Sequence, residues 1–121
     1  MEEFRGKVIF FNQWATWCMP CVMEMPSIDR LYRSVDPQEV AFVIVTSEDA
    51  GTVRDFVDGK EWGMPIYVVD EVPDDLVNEI IPYTMIVHPE GRLAFAHQGA
   101  GNYDTDSARE FLNALTGKAG I

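Results

Sequence analysis

Two unbroken apolar runs, Val8-Ile9-Phe10-Phe11 and Val40-Ala41-Phe42-Val43-Ile44-Val45, constrain this chain more than any other feature. Both are rich in β-branched and aromatic residues and lack polar alternation. That pattern fits strands buried on both faces, as in a parallel sheet. Between them, from about Met19 to Val35, the residues Met25, Ile28, Leu31, Tyr32 and Val35 recur at helical spacing. A strand, a helix and a second strand of this kind close as a parallel βαβ unit. Pro26 falls inside the helical stretch and predicts a kink there.

The rest of the chain extends this unit. A second helix is expected from about Gly51 to Lys60, with Val53, Phe56 and Val57 facing inward, and a short strand from Ile66 to Val69. Pro73 to Glu79 reads as a helical turn or two. Thr84-Met85-Ile86-Val87 and Arg92-Leu93-Ala94-Phe95-Ala96 flank Pro89-Glu90-Gly91, a connector that marks an antiparallel hairpin. A last helix runs from about Thr105 to Leu115, with Phe111, Leu112 and Leu115 as its apolar face and Gly117 as its cap. The order β-α-β-α-β-β-β-α gives an α/β fold, a mixed central sheet with helices on both faces.

Length and charge narrow the function. No repeat, low-complexity tract or linker divides the 121 residues, so residues 1–121 are read as one domain. Nothing approaches the length of a transmembrane helix, and the charged start Met1-Glu2-Glu3-Phe4-Arg5 is not a signal peptide. That start does not imply a cytoplasmic protein, because an excised fragment loses its targeting segment. The net charge of −11, from 20 acidic and 9 basic residues, lacks the basic stripe that nucleic-acid binding needs.

The only two cysteines stand in Trp14-Ala15-Thr16-Trp17-Cys18-Met19-Pro20-Cys21. This segment leaves a buried strand and opens a helix. A thiolate at a helix N-terminus meets unpaired backbone N–H groups and the positive end of the macrodipole, so it ionises more readily than a free cysteine. Cys18, nearer the exposed turn, is the attacking thiol. Cys21, one turn on, resolves the mixed disulfide. Pro20 suits the first helical turn because it lacks an N–H. Met19 is apolar, flexible and placed to contact substrate.

The stretch Gly6-Lys7-Val8 through Trp14-Ala15-Thr16-Trp17-Cys18-x-Pro20-Cys21-x-x-Glu24-x-Pro26 resembles the TlpA/ResA-like branch of the thioredoxin superfamily, and the likeness extends over nearly the whole chain. The resemblance implies a thioredoxin-like fold and an extracytoplasmic disulfide reductase, with cytochrome c maturation or cell-envelope redox homeostasis as its setting. It makes Pro82, in Ile80-Ile81-Pro82-Tyr83-Thr84, a cis-proline facing the redox pair, with the Ile81 backbone beside the sulfurs to pair with an extended substrate. It also makes Glu24 a partly buried carboxylate that tunes the cysteines or relays protons. Physically, a carboxylate near two thiols opposes thiolate formation or accepts a proton as Cys21 ionises. Asn12 stands where classical thioredoxins carry a buried aspartate, which leaves Glu24 as the proton relay. Gln13 departs from the aromatic usual in this branch. The N-terminal hairpin of the family is missing, so the chain is read as a domain excised from a longer, anchored or secreted protein.

Trp17 is expected to shield the disulfide and shape the docking surface, with Gly99 and Ala100 at its border. His88 and His97 adjoin the hairpin without metal-ligand spacing, and Met23, Met25 and Met85 are read as core filler. The implied partners are disulfide-bearing proteins and an upstream dithiol donor. The implied cofactor is none beyond the redox-active disulfide, and a monomer is expected. The alternative is a copper or zinc carrier using both cysteines and a histidine. Copper chaperones of this fold resemble a different pattern, with wider cysteine spacing. Superfamily peroxidases resemble another, with a single threonine-flanked cysteine.

Overall fold

A computed structural model of the chain describes residues 4, 6–69 and 80–116. The elements follow in the order β1 (Val8–Gln13), α1 (Met19–Ser34), β2 (Val40–Thr46), α2 (Ala50–Val57), β3 (Ile66–Val68), β4 (Tyr83–Val87), β5 (Leu93–Gln98) and α3 (Asp106–Leu115). The turn expected at Pro73–Glu79 and the cap expected at Gly117 lie outside the described residues.

Five strands form one mixed sheet in the order β3-β2-β1-β4-β5. The two apolar runs pair in parallel, Val8 with Val40 through Gln13 with Val45. On its other side β1 runs antiparallel to β4, with Gln13 opposite Tyr83. β4 and β5 form the antiparallel hairpin. Because strand side chains alternate, the sheet carries two cores. Val8, Phe10, Val40, Phe42, Ile44 and Ile86 join the helices' Cys21, Met25, Ile28, Leu31, Val53 and Leu112. Phe11, Val45 and Met85 form a smaller cluster on the other face. Asn12 shares the helix-side face with Phe10, so its amide is turned toward α1.

The helix ends follow from their capping residues. Cys18 caps α1 with its sulfur, Asp49 caps α2 by accepting from Thr52 N–H, and Thr105 caps α3 by accepting from Ala108 N–H. α1 is continuous across Pro26. α2 stops at Val57 rather than reaching Lys60. Asp58 turns extended, and Gly59 follows at φ +82, a backbone conformation that suits glycine. The inward stripe of α3 is Ala108, Leu112 and Leu115. Phe111, expected on that stripe, is instead exposed and meets Phe95 of the edge strand β5. At the junction of α1 and α3, Asp104 receives both Arg30 and Arg109.

Candidate active site

The centre forms where β1 ends and β4 begins. Because these strands are antiparallel neighbours, the loop leaving Gln13 and the segment entering Tyr83 lie at the same sheet end. The loop is tied down at each step. Trp14 N–H donates to the Val45 carbonyl, and Cys18 N–H to that of Ala15. Glu48 takes the Thr16 backbone N–H at 2.8 Å, the Thr16 hydroxyl at 2.6 Å and the Thr46 hydroxyl at 2.9 Å. Burial works to raise the Glu48 pKa, yet these bonds together hold it below the usual carboxylate value.

Cys18 and Cys21 are disulfide-bonded. Both sulfurs are nearly covered, with Cys18 6% and Cys21 0% exposed. The Cys18 sulfur accepts the Cys21 backbone N–H at 3.3 Å, the helix-start interaction expected of it. It also lies 3.9 Å from the Ile81 carbonyl oxygen. The Ile81–Pro82 peptide is cis. Pro82 is buried, and its carbonyl accepts the Gly99 N–H at 2.7 Å, which holds the end of β5 against this segment. Gly99 sits at φ +98, a backbone suited to glycine.

Around the covered sulfurs stand exposed apolar groups: Trp17 at 74%, Met19 at 67% and Ile80 at 56%, with Pro20 exposed and Ile81 half-buried. Trp17 therefore projects into solvent beside the disulfide, while Trp14 belongs to the core. Met25 and Met85 are core residues as expected. Met23 is not: it is 73% exposed, because it lies on the side of α1 away from the sheet.

Behind the pair lies a buried polar cluster. Glu24 is buried and accepts the Asn12 side-chain amide at 2.8 Å and the Gly101 N–H at 2.9 Å. Asn12 also donates to the Thr84 hydroxyl at 3.0 Å. Burial drives the Glu24 pKa upward, and the bonds from Gly101 and Asn12 only partly offset it. Tyr103 packs edge-on against Phe10 at 5.3 Å, and burial likewise raises its hydroxyl pKa. Sequence reasoning singled out Cys18, Cys21, Glu24, Asn12 and Pro82. It missed Glu48, Thr84, Gly101 and Tyr103. Only Glu48 carried a usable signal, its place just past the carboxyl end of a parallel strand, where α/β sites gather.

His88 lies at the hairpin, 3.4 Å from Glu90, and His97 is exposed on β5. Among the described residues, no three His, Cys, Asp or Glu group to hold a metal ion.

Comparison with known proteins agrees with this geometry. The pattern of the AhpC/TSA family matches residues 1–97. The thiol-disulfide oxidoreductase ResA of Halalkalibacterium halodurans is 33% identical over 123 residues, covering 98% of this chain and 68% of that protein. Among solved structures, StoA from Bacillus subtilis superposes with a TM-score of 0.73 at 22% identity, over 93% of this chain and 84% of that one. A thioredoxin-family thiol:disulfide interchange protein from Chlorobium tepidum TLS gives 0.77 at 18% identity, over 95% and 83%. The solved structures establish a shared thioredoxin-like fold.

Proposed function

This chain belongs to the AhpC/TSA family and is a thiol–disulfide oxidoreductase, and from that premise we propose that it works as a reductase of disulfides in other proteins. The observation that carries the direction is the setting of the sulfurs. Both are buried, and the negative end of the Ile81 carbonyl lies 3.9 Å from Cys18. Burial and that dipole oppose a thiolate, against the Cys21 N–H and the N-terminus of α1, which favour one. A reduced pair that is weakly stabilised gives up its electrons readily, whereas strong stabilisation of the reduced form makes an oxidant.

In the reaction, the Cys18 thiolate attacks one sulfur of the substrate disulfide. The substrate S–S bond breaks, a Cys18–substrate bond forms, and the other substrate sulfur leaves as a thiolate. Cys21 loses its proton and attacks Cys18, which re-forms the Cys18–Cys21 disulfide and expels the second substrate thiolate. Two electrons pass to the substrate, and an upstream dithiol donor restores the pair. Glu24 is the buried carboxylate assigned to take and return the Cys21 proton. Trp17, Met19, Pro20 and Ile81 form the substrate-docking surface, with Pro82 holding Ile81 in place. The resemblance to the ResA-like branch supports an extracytoplasmic role in cytochrome c maturation or cell-envelope redox balance, and a monomer is expected. No helix among the described residues is long and apolar enough to cross a membrane.

Equilibration with graded thiol–disulfide buffers tests this. A reduction potential near or below about −250 mV is expected for a reductase. A value of about −120 to −180 mV would assign the opposite direction of electron flow.

A further inference from the structure

We propose that His97 is a positioning residue of this centre, a solvent-facing imidazolium that holds Glu24 as the carboxylate able to take the Cys21 proton; this rests on the exchange reaction proposed above. Three strands set up the arrangement. Asn12 on β1 stands opposite Thr84 on β4, and Thr84 stands opposite His97 on β5. Residues directly opposite across a ladder share one face of the sheet, about 4.5–5.5 Å apart. Asn12, Thr84 and His97 therefore form one polar row on the helix-side face, running from the middle of the sheet to its edge. Glu24 lies over the inner end of that row. It accepts from Asn12 at 2.8 Å, and Asn12 donates to Thr84 at 3.0 Å. The other Glu24 oxygen accepts the Gly101 N–H at 2.9 Å, just past the end of β5. The carboxylate thus spans from β1 toward the strand that carries His97, within range of the imidazole's charge.

The groups around Glu24 come from each element packed on it. On α1 itself, Cys21 is uncharged in the disulfide. β1 and β4 supply the neutral Asn12 and Thr84. The segment after β5 supplies Tyr103, whose hydroxyl burial and the nearby Glu24 push above its ordinary value, so it stays neutral. β5 supplies His97, and histidine is the side chain that changes charge between about pH 5 and 8. His97 is exposed, so solvent protons reach it, and its ring stacks on Phe95, with 6.4 Å between centroids and 26° between planes. Phe95 is backed in turn by Phe111 of α3 at 6.3 Å, which gives that outward-facing ring a role. A nearby cation favours the charged form of a carboxyl, so a protonated His97 opposes the burial that drives Glu24 toward its neutral form. As pH falls, the charge gained by His97 delays protonation of Glu24. In the resolving step the Cys21 S–H bond breaks, the proton passes to Glu24, and the freed electron pair attacks the Cys18 sulfur. His97 extends toward acid the range in which Glu24 can receive that proton.

The test follows the Glu24 carboxyl resonance of the oxidised, isotopically labelled protein against pH at low ionic strength, identified by its loss in Glu24→Gln. In His97→Gln its midpoint should rise by at least about 0.3 pH unit, the Coulomb effect of a unit charge roughly 10 Å away in water-like surroundings. In His97→Lys, where the charge is permanent, it should stay at or below the parent value. Equal midpoints in all three proteins would overturn the inference. So would a parent midpoint equal to that of His97→Gln, which would mean that His97 is uncharged where Glu24 titrates. The second readout is the resolving rate in single turnovers of the reduced protein with saturating glutathione disulfide. Its acid limb should move up with the midpoint in His97→Gln, and His97→Gln should add nothing in a Glu24→Gln background. A limb that stays put while the midpoint moves would deny His97 any part in the proton transfer. If the reduced parent does not react with glutathione disulfide at all, the exchange reading itself fails, whereas unmoved midpoints with normal exchange would sink His97 alone.

Discussion

Replacing Glu24 by glutamine keeps the size of the side chain and removes its titration, so the variant isolates the cost of burying a charge. Glu24 has an ordinary value of 4.5 in the unfolded chain and a raised value in the folded one. Between those two values the folded protein holds a proton that the unfolded chain has released. Its stabilising contribution is therefore full below pH 4.5 and is lost as pH rises through the folded pKa. Glutamine has no such dependence. The stability of Glu24→Gln relative to the parent should climb between pH 4 and pH 8, by about 1.4 kcal/mol for each unit by which the folded pKa is raised. With urea slopes of about 1–3 kcal/mol per molar, each unit moves the gap between midpoints by about 0.5–1.4 M. The offset at low pH should stay within about 1 kcal/mol, the worth of one hydrogen bond. Asn12 Oδ1 is buried without a partner, so a rotated Asn12 amide can accept from the N–H of the introduced glutamine while Gly101 donates to its oxygen. The assay is urea unfolding of the oxidised proteins at unit steps of pH. A gap that stays flat would mean Glu24 titrates as in the unfolded chain. A gap that falls with pH would mean that the bonds from Asn12 and Gly101 outweigh burial, and the argument from desolvation would be wrong.

Leu112→Ala, at a fully buried position, should cost about 2–5 kcal/mol in urea unfolding, and Phe111→Ala on the exposed side under about 1 kcal/mol; similar costs would refute the assignment of the α3 stripe. Glu48→Ala strips the Thr16 N–H and two hydroxyls of their acceptor and should cost about 1–3 kcal/mol, with Glu48→Gln costing less; a loss below about 0.5 kcal/mol would show that the loop before Cys18 holds without it.

Much of this architecture was legible because its signals are local. The runs beginning at Val8 and Val40 announced a parallel pair, and Cys18 announced a helix start, since each depends on residues a few positions apart. Asn12, Glu24, Thr84 and Gly101 were different: Asn12 and Thr84 are separated by 72 positions, and Glu24 and Gly101 by 77. No periodicity connects such residues; only the β1–β4 pairing and the return of the chain after β5 do so. The cis peptide before Pro82 was reached through family resemblance alone. Met23 and Phe111 show the opposite failure. Both are apolar and lie close to a true core position, Met25 and Leu112 respectively. Hydrophobicity places a residue on a helix, but packing against the sheet decides which side is covered.

The bond between Cys18 and Cys21 spans a sequence separation of only three. A crosslink constrains the unfolded chain in proportion to the logarithm of the loop it closes, so one this small withholds little entropy, about 2 kcal/mol by the loop-length relation. The remainder of the fold rests on the sheet and its two cores, the larger of which includes Cys18 and Cys21 themselves. Opening the bond therefore removes about 2 kcal/mol, less than the roughly 3 kcal/mol of a 15-residue loop but a sizeable part of the stability of about 5–15 kcal/mol that typically holds a domain. Each turn of the redox cycle is therefore also a step in stability, with the oxidised domain the more stable form.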